Sequence, residues 1–257
     1  MTIVRWHILE TVAQNTALIT AGFHVVLSAP AENESAKGSD PDDARFNYVN
    51  SFPITAIRFD IQTAAPPFFH GTAPDLVVSG PNVGNNLDSG VLNSGNVGAA
   101  TEAAKEGFPS IAFSGSGGSI VSFTTLSQPS SSTTTANVFA SIGLEFVQAL
   151  LAQPFSVSSP ILPKNVSLNV NYSAATGACT NPDAFSFVLT RINAASSNTA
   201  ADVDTCGSNR LPTESSIVAQ NGCFVSASLM NATTKGDVDS ATQAFVLNRL
   251  GDFLTCA

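Results

Sequence analysis

The sequence is short of charge. Only 11% of its 257 residues are Asp, Glu, Lys or Arg, whereas an average soluble domain carries about 25%. Positive charge is the scarcer sign, with 10 Lys and Arg against 19 Asp and Glu and a formal net charge of −9. Nucleic-acid backbones and anionic membranes repel such a chain. We therefore expect neither a nucleic-acid polymer nor a membrane as a partner. A small phosphate ester would need a local cation or a helix N-terminus to bind.

Long apolar runs are also missing. No stretch approaches the roughly 20 apolar residues of a membrane span. Met1 to Trp6 has no apolar segment of the kind found in signal peptides. Four Asn-x-Ser/Thr sequons, at Asn33, Asn165, Asn171 and Asn231, are compatible with a secreted glycoprotein. They also arise by chance in a chain rich in Asn, Ser and Thr.

Cysteine is absent before Cys179, and the four cysteines lie in the last third of the chain, at positions 179, 206, 223 and 256. None of them has the Cys-x-x-Cys spacing that is typical of zinc sites. An even number within one region favours two disulfides, for which three connectivities are possible. The alternative is four buried thiols in a cytosolic protein.

Apolar periodicity predicts alternating strands and helices. The predicted helices lie at 10–21, 96–105, 137–152 and 237–254, and the predicted strands at 25–30, 75–80, 110–114, 168–172, 185–192 and 224–229. This order predicts a doubly wound α/β fold with a mostly parallel sheet. Ligands of such sheets bind at the carboxyl ends of the strands.

The segment from 74 to 115 carries the pattern most suggestive of a site. Small residues at the end of the strand at 75–80 and after it would let the backbone approach a ligand closely, and among them Gly80 is predicted to bind phosphate. Asn82 offers a carbonyl oxygen to a hard cation such as Mg²⁺, Mn²⁺ or Ca²⁺. Ser94, Gly95 and Asn96 open the next helix, whose unpaired N–H groups would point at an anion. The alternative is an ordinary tight turn with an Asn or Ser cap.

A nucleophilic triad is poorly supported. Of the three histidines, His7, His24 and His70, His24 lies beside a predicted strand and is expected to be structural, and His70 is expected in a loop. The run 114–117, Ser-Gly-Ser-Gly, is only faintly similar to a nucleophile elbow, because it lacks the glycine before the serine. The chain also has no phosphate-binding lysine loop and no Gly-x-Gly-x-x-Gly after its first strand.

Three runs of residues, at 74–84, 94–97 and 106–114, resemble the survival protein SurE family, and within it the fungal, secreted acid-phosphatase-like branch. The resemblance extends through 25–35, 189–193 and 211–215, and so covers nearly the whole chain. It implies one SurE-like (Rossmann-like) three-layer domain over residues 1–257. Its C-terminal part, about 155–257, contains the cysteines and often mediates dimers in the family, so a homodimer is expected.

The activity implied by the resemblance is that of a metal-dependent phosphomonoesterase, of the acid phosphatase or 5'(3')-nucleotidase type, acting on nucleoside monophosphates or similar esters. The family's metal-binding serine and asparagine fall on Ser35 and Asn82. Its phosphate-binding Ser-Gly-Thr falls on Ser94, Gly95 and Asn96, with Asn in place of Thr. A secreted or cell-wall location is also implied.

The chain departs from the family at its start. Thr2 to Arg5 stand where the family has Asn-Asp-Asp-Gly, so both metal-binding aspartates are absent and the catalytic residues are unknown. We expect residues 1–5 to be aberrant and the first strand to be missing. Two explanations are open: a mis-started or alternatively spliced gene model, or a catalytically inactive paralogue that still binds phosphate or nucleotide. The other carboxylates near this region are Glu10, close to Trp6, and Asp40, Asp42 and Asp43 in the loop after Ser35. A charged cluster in a loop is typical of solvated surface, so we do not expect these carboxylates to replace the missing aspartates.

Overall fold

The computed structural model describes residues 2–4, 9–30, 38–39 and 43–257. Nine strands are described: β1 Thr2–Val4, β2 Val26–Pro30, β3 Gly38–Ser39, β4 Phe46–Val49, β5 Val77–Val83, β6 Ser110–Gly115, β7 Val166–Tyr172, β8 Ser186–Thr190 and β9 Phe224–Asn231. Seven α-helices are described: α1 Leu9–Thr20, α2 Pro53–Phe59, α3 Gly90–Asn93, α4 Gly95–Lys105, α5 Ser131–Leu151, α6 Glu214–Val218 and α7 Ser240–Leu250.

The strands form one sheet in the order β3-β4-β2-β1-β5-β6-β7-β9-β8. Pairing is parallel except between β3 and β4 and between β7 and β9. The predicted α/β class with a mostly parallel sheet is therefore confirmed. Because the parallel strands β1, β2, β5, β6 and β7 all end at the same edge, the loops after them converge there.

The prediction that the first strand is missing was wrong. Thr2–Val4 pairs in parallel with β2 on one side and with β5 on the other. Its Thr-Ile-Val sequence includes the β-branched residues that favour strands. Without β1, the facing edges of β2 and β5 would leave buried N–H and C=O groups unpaired, which is costly. These three residues therefore fill the gap between β2 and β5.

Helices cover both faces of the sheet. On one face, α1 and α5 pack on a core that includes Leu18, Val78, Phe113, Ile142 and Phe146. On the other face, α2 and α4 bury a separate apolar cluster against β5. This three-layer arrangement leaves the carboxyl edge of the sheet lined by helix starts on both sides.

Helix α5 differs from the expectation that no stretch resembles a membrane span. It has 21 residues, and the mean hydropathy of its most apolar window is 1.2. By length and composition alone, such a helix could cross a membrane. Half of that window is buried inside the protein. Phe139, Ile142 and Phe146 belong to the core, so the apolar character of α5 is accounted for by packing on the sheet.

All four cysteines form disulfides, as the sequence favoured. Cys179 is bonded to Cys223, and Cys206 to Cys256. The first bond links the turns that precede β8 and β9, and the second links a long loop to the end of the chain. One sequon is not available in this fold, because Asn171 is fully buried in the middle of the sheet.

Candidate functional site

The end of β5 brings backbone close to the neighbouring strand. Gly80 has a φ of +99°, and a Cβ atom at this position would lie 2.3 Å from the carbonyl oxygen of Phe113 and 3.0 Å from Oδ1 of Asn96. The Gly80–Pro81 peptide bond is cis. Only glycine combines this left-handed backbone with such a close approach. Gly80, predicted to bind phosphate, thus has an evident role in the path of the chain.

Asn96 fixes the start of α4 to the sheet. Its side chain is fully buried, with Oδ1 accepting from Ser79 Oγ at 2.7 Å and Nδ2 donating to the Phe113 carbonyl at 2.8 Å. Nδ2 also lies 3.3 Å from Ser114 Oγ. The side chain is fully engaged inside the protein, so any contact of Asn96 with an anion would come from its backbone N–H. With that restriction, its assignment to a phosphate site stays a prediction.

Helix α4 presents its N-terminus at this edge. Ser94 is the N-cap, and its Oγ accepts from the N–H of Val97 at 3.1 Å. The N–H groups of Gly95 and Asn96 belong to the first turn, which has no intrahelical acceptors. Gly95 also packs on Pro53, since a Cβ atom there would lie 3.0 Å from the proline ring. The arrangement has the partial positive charge and the free donors that an anion requires.

A group of polar side chains, which we call the asparagine network, surrounds the loop between β5 and α3. Asn86 lies at its centre: Oδ1 accepts from Ser94 Oγ at 2.6 Å and from Ser114 Oγ at 3.0 Å. The Asn86 carbonyl accepts from Nδ2 of Asn169 at 2.8 Å and of Asn171 at 3.2 Å, and its N–H donates to Asn171 Oδ1 at 2.8 Å. The loop is thereby tied to both β7 and the start of α4.

Glu214, the first residue of α6, completes the asparagine network. It is fully buried. Its Oε2 accepts from Asn169 Nδ2 at 2.9 Å, and its Oε1 accepts from the N–H of Asp88 at 3.0 Å. Burial raises the pKa of Glu214 to about 8, although hydrogen bonds from Asn169, Asp88 and Ser228 lower it in part. The carboxyl is therefore mostly protonated below that pH.

Sequence reasoning did not single out Asn86, Ser114, Asn169, Asn171 or Glu214 as site residues. One signal was available. In the predicted strand at 168–172, Asn169 and Asn171 alternate with Leu, Val and Tyr, although the strand is buried on both faces. Buried polar side chains at alternate positions require partners on one face, and here the partner is the β5–α3 loop.

A divalent cation at this edge would find few ligands among the described residues. Asn82 at the end of β5 donates its Nδ2 to the Gly84 carbonyl at 2.7 Å, and this bond does not use its Oδ1. Ser35, Asp40 and Asp42 lie outside the described residues. The described part of the chain contains no group of three His, Cys, Asp or Glu side chains that could hold a metal. Because Asn82 is neutral, the described residues do not complete a divalent-cation site.

Asp43 and Glu10, the described members of the carboxylates near the chain start, have different surroundings. Asp43 is partly exposed and bonded to Nε of Arg45 at 2.9 Å, and the guanidinium lowers the pKa of Asp43. This agrees with the surface position expected for it. Glu10, in the first turn of α1, is instead 1% exposed. Among the described residues neither of its carboxyl oxygens has a hydrogen-bond partner, and burial raises its pKa.

Glu10 is buried because its turn packs under the loops that follow β5 and β6. Its Oε1 lies 3.4 Å from the position a Cβ atom would take on Gly118, which is also 3.6 Å from Val83 Cγ1. The Leu9 N–H donates to the Val121 carbonyl at 3.3 Å, closing the same region. The two described histidines, His24 and His70, are instead exposed at the amino edge of the sheet, far from these loops.

Comparison with known proteins agrees with this architecture. The profile of the family described as survival protein SurE matches residues 6–199. The chain belongs to the SurE family. A protein named acid phosphatase from Yarrowia lipolytica is 30% identical over 246 residues, which cover 86% of this chain and 67% of that protein.

Other members of the SurE family match shorter segments. A 5'-nucleotidase SurE from Methanospirillum hungatei is 43% identical over 98 residues, which cover 35% of this chain and 35% of that protein. The chain thus matches about two thirds of the acid phosphatase and about a third of the nucleotidase. The crystal structure of the SurE protein from Aquifex aeolicus superposes with a TM-score of 0.62 at 21% identity, covering 91% of this chain and 93% of the other. At that identity the likeness concerns the fold.

Proposed function

We propose that this protein is a phosphomonoesterase that binds the phosphate group of a nucleoside monophosphate, or a similar small ester, at the start of α4. The observation that carries the proposal is the N-terminus of α4, where Ser94, Gly95 and Asn96 are fixed at the carboxyl edge of the parallel sheet. Two SurE relatives whose names denote phosphate-ester hydrolysis support the reaction class. The phosphate would be the part of the substrate that every such ester shares.

The chain's own residues suit the binding of a phosphate dianion. The protein has a net charge of −9, so an anion needs a local positive potential. The free N–H groups of Gly95 and Asn96 and the dipole of α4, which has 11 residues, would supply it. The buried side chain of Asn96 and the Ser94–Asn86 bond hold these donors in place before the ligand arrives, which reduces the entropy lost on binding.

We also propose that hydrolysis requires a divalent cation, Mg²⁺, Mn²⁺ or Ca²⁺, for which Asn82 would be a neutral ligand and Ser35 a further one. SurE membership and the hard-oxygen character of the Asn82 amide support this. The described residues lack the carboxylates that would complete such a site.

The test measures phosphate release from p-nitrophenyl phosphate and from adenosine monophosphate, with Mn²⁺, with Mg²⁺ and with EDTA. We expect release that depends on the cation and falls at least tenfold in Asn82→Ala. The matched control is Asn248→Ala, on α7 away from the carboxyl edge, which should leave release unchanged. Equal release with EDTA would contradict the metal requirement, and no release under any condition would contradict the activity.

A second function is favoured by the same absence of a described carboxylate cluster. In it, the protein binds phosphate or nucleotide through the start of α4 without hydrolysing it. This alternative predicts that inorganic phosphate binds with equal affinity with and without EDTA, while the release assay gives no product. Loss of phosphate binding on chelation would contradict it.

We propose a secreted or cell-wall location. The support is the pair of disulfides, because such bonds persist mainly in oxidising compartments. Thiol labelling of the native protein should find all four cysteines blocked until reduction, and free thiols in the unreduced protein would contradict the location.

A further inference from the structure

The described hydrogen bonds of Glu214 do not reach Asn82 or the start of α4, where ligands are predicted to bind. Glu214 is nevertheless hydrogen-bonded to the β5–α3 loop. Two of the donors to its oxygens lie at this edge: the backbone N–H of Asp88 at 3.0 Å and Nδ2 of Asn169 at 2.9 Å. The first partner is in the β5–α3 loop, and the second is on β7. The carboxyl group therefore links the β5–α3 loop to β7 of the sheet.

The link continues from Asn169 to the start of α4. The same Nδ2 atom of Asn169 donates to the Asn86 carbonyl at 2.8 Å, and Oδ1 of Asn86 accepts from Ser94 Oγ at 2.6 Å. Ser94 is the N-cap of α4. A continuous path of hydrogen bonds thus joins a buried carboxyl on α6 to the N-terminus at which phosphate is proposed to bind.

A second contact holds the far end of the loop. Oγ of Ser215, the residue after Glu214, donates to Oδ2 of Asp88 at 2.5 Å. Asp88 itself has a φ of +49°, a left-handed backbone that a non-glycine residue adopts only at some cost. The two α6 residues thus hold Asp88 in a conformation that the loop would not favour by itself.

The chemistry of this position demands a carboxyl group. Each oxygen of Glu214 can accept a hydrogen bond, whether or not one of them carries a proton. A glutamine has one accepting oxygen and one NH₂ group that only donates. In Glu214→Gln, either the Asp88 N–H or Asn169 Nδ2 would therefore face another donor inside the protein. The hydrogen bond at that end of the path would be lost.

We propose that Glu214 is a positioning residue for the phosphate-binding edge, acting through Asn169 and Asn86 on Ser94 and through Asp88 on the β5–α3 loop. This inference rests on the proposed phosphate site. According to this inference α6, a short helix in the C-terminal part of the chain, determines the positions of the N–H donors at the start of α4.

The test is a double-mutant cycle on the affinity for inorganic phosphate, measured by calorimetric titration of the full chain. We expect Glu214→Gln and Asn86→Ala each to weaken binding about tenfold, and the double variant to bind no more weakly than Asn86→Ala alone, because the two residues act in one path. Glu145→Gln on α5, away from the asparagine network, is the matched control and should keep wild-type affinity.

Three results would overturn the inference. Unchanged phosphate affinity in Glu214→Gln, with only a lower melting temperature, would show a purely structural role. Additive losses in the double variant would show that Glu214 does not act through Asn86. The milder Glu214→Asp, which keeps both acceptors but shortens the side chain, serves if the glutamine variant does not fold, and unchanged affinity in it would count equally against the proposal.

Amide hydrogen exchange separates this inference from the proposed function. If the wild-type chain binds no phosphate, the proposed phosphate site fails. The positioning role is then judged on the Asn86 and Asp88 amides, which should exchange at least tenfold faster in Glu214→Gln than in Glu145→Gln. Unchanged exchange at both amides would overturn the role of Glu214 whatever the chain binds.

Discussion

The two sides of the same sheet edge differ in how far their buried polar groups are hydrogen-bonded. On the α4 side, the asparagine network joins Asn86, Ser94, Ser114 and Glu214 in hydrogen bonds of 2.6–3.0 Å. Asn169 lies between them, and its Oδ1 is the network's exception, with no partner among the described residues. On the α1 side, both carboxyl oxygens of Glu10 and both amide atoms of Gln14 are buried without a partner in the described part of the chain. A buried network that is largely hydrogen-bonded restricts the geometry of its members, whereas unpaired buried groups cost stability.

The difference concerns function as well as stability. The hydrogen bonds on the α4 side would hold the start of α4 in place for the phosphate that we propose it binds. The α1 side follows β1, and the segment from Thr2 to Arg5 carries no carboxylate. The following predictions sharpen this comparison or break it.

The largest effect is expected for Gly80→Ala, on the ordered side. The new Cβ atom would lie 2.3 Å from the Phe113 carbonyl at a φ of +99°. We expect the free energy of unfolding in urea to fall by about 3–4 kcal/mol, through backbone strain and overpacking together. Gly84→Ala is the control, because its φ of +93° meets no atom within 4 Å, and it should cost only about 1 kcal/mol. Equal costs would show that the close approach to β6 is unimportant.

An intermediate effect is expected from the titration of Glu214. Its folded pKa, about 8, is raised above the ordinary value of 4.5. The contribution of Glu214 to the stability of the folded state is therefore fully present below about pH 4.5 and is lost as the pH rises through about 8. Asp88, the charged group facing it, acts in the same direction, since its negative charge also raises the pKa of Glu214.

Urea unfolding between pH 4.5 and 8.5 should therefore show a decline of a few kcal/mol that is attributable to Glu214. In Glu214→Gln, which cannot ionise, that part of the decline should be absent. If the free energies of unfolding of the wild type and of Glu214→Gln changed equally with pH, the raised pKa of Glu214 would be contradicted.

The smallest effect is expected for Glu10→Gln, on the side with unpaired groups. Because burial raises the pKa of Glu10, its contribution to stability is present below the ordinary pKa of a glutamate and is lost as the pH rises through the raised value. An amide has no charge to desolvate, so Glu10→Gln should raise the free energy of unfolding at pH 7 by about 1 kcal/mol, and by less at pH 4. A less stable variant at both pH values would mean that the carboxyl has a partner in solution, and the contrast between the two sides would disappear.

Much of the fold followed from sequence pattern. Predicted helices at 10–21, 96–105 and 237–254 correspond to α1, α4 and α7 with shifts at their ends, because apolar spacing and capping residues are local signals. The strand β4 and the short helices α2 and α6 were not predicted. Their patterns are brief, and packing on β2, α4 and β9 decides them rather than local preference. The strand at Thr2–Val4 was missed because its role depends on the gap between β2 and β5.

The sequence by itself determined the alternation of strands and helices, the acidic surface, the even set of cysteines, and the small polar residues that open α4. These properties depend on neighbours along the chain. Tertiary structure alone decided which cysteines pair, that Glu10 is buried, and that Glu214 reaches Asn86 through Asn169. Residues more than a hundred positions apart meet there because parallel strands end at a common edge, and burial then makes each hydrogen bond between them, or its absence, count in the energy of the fold.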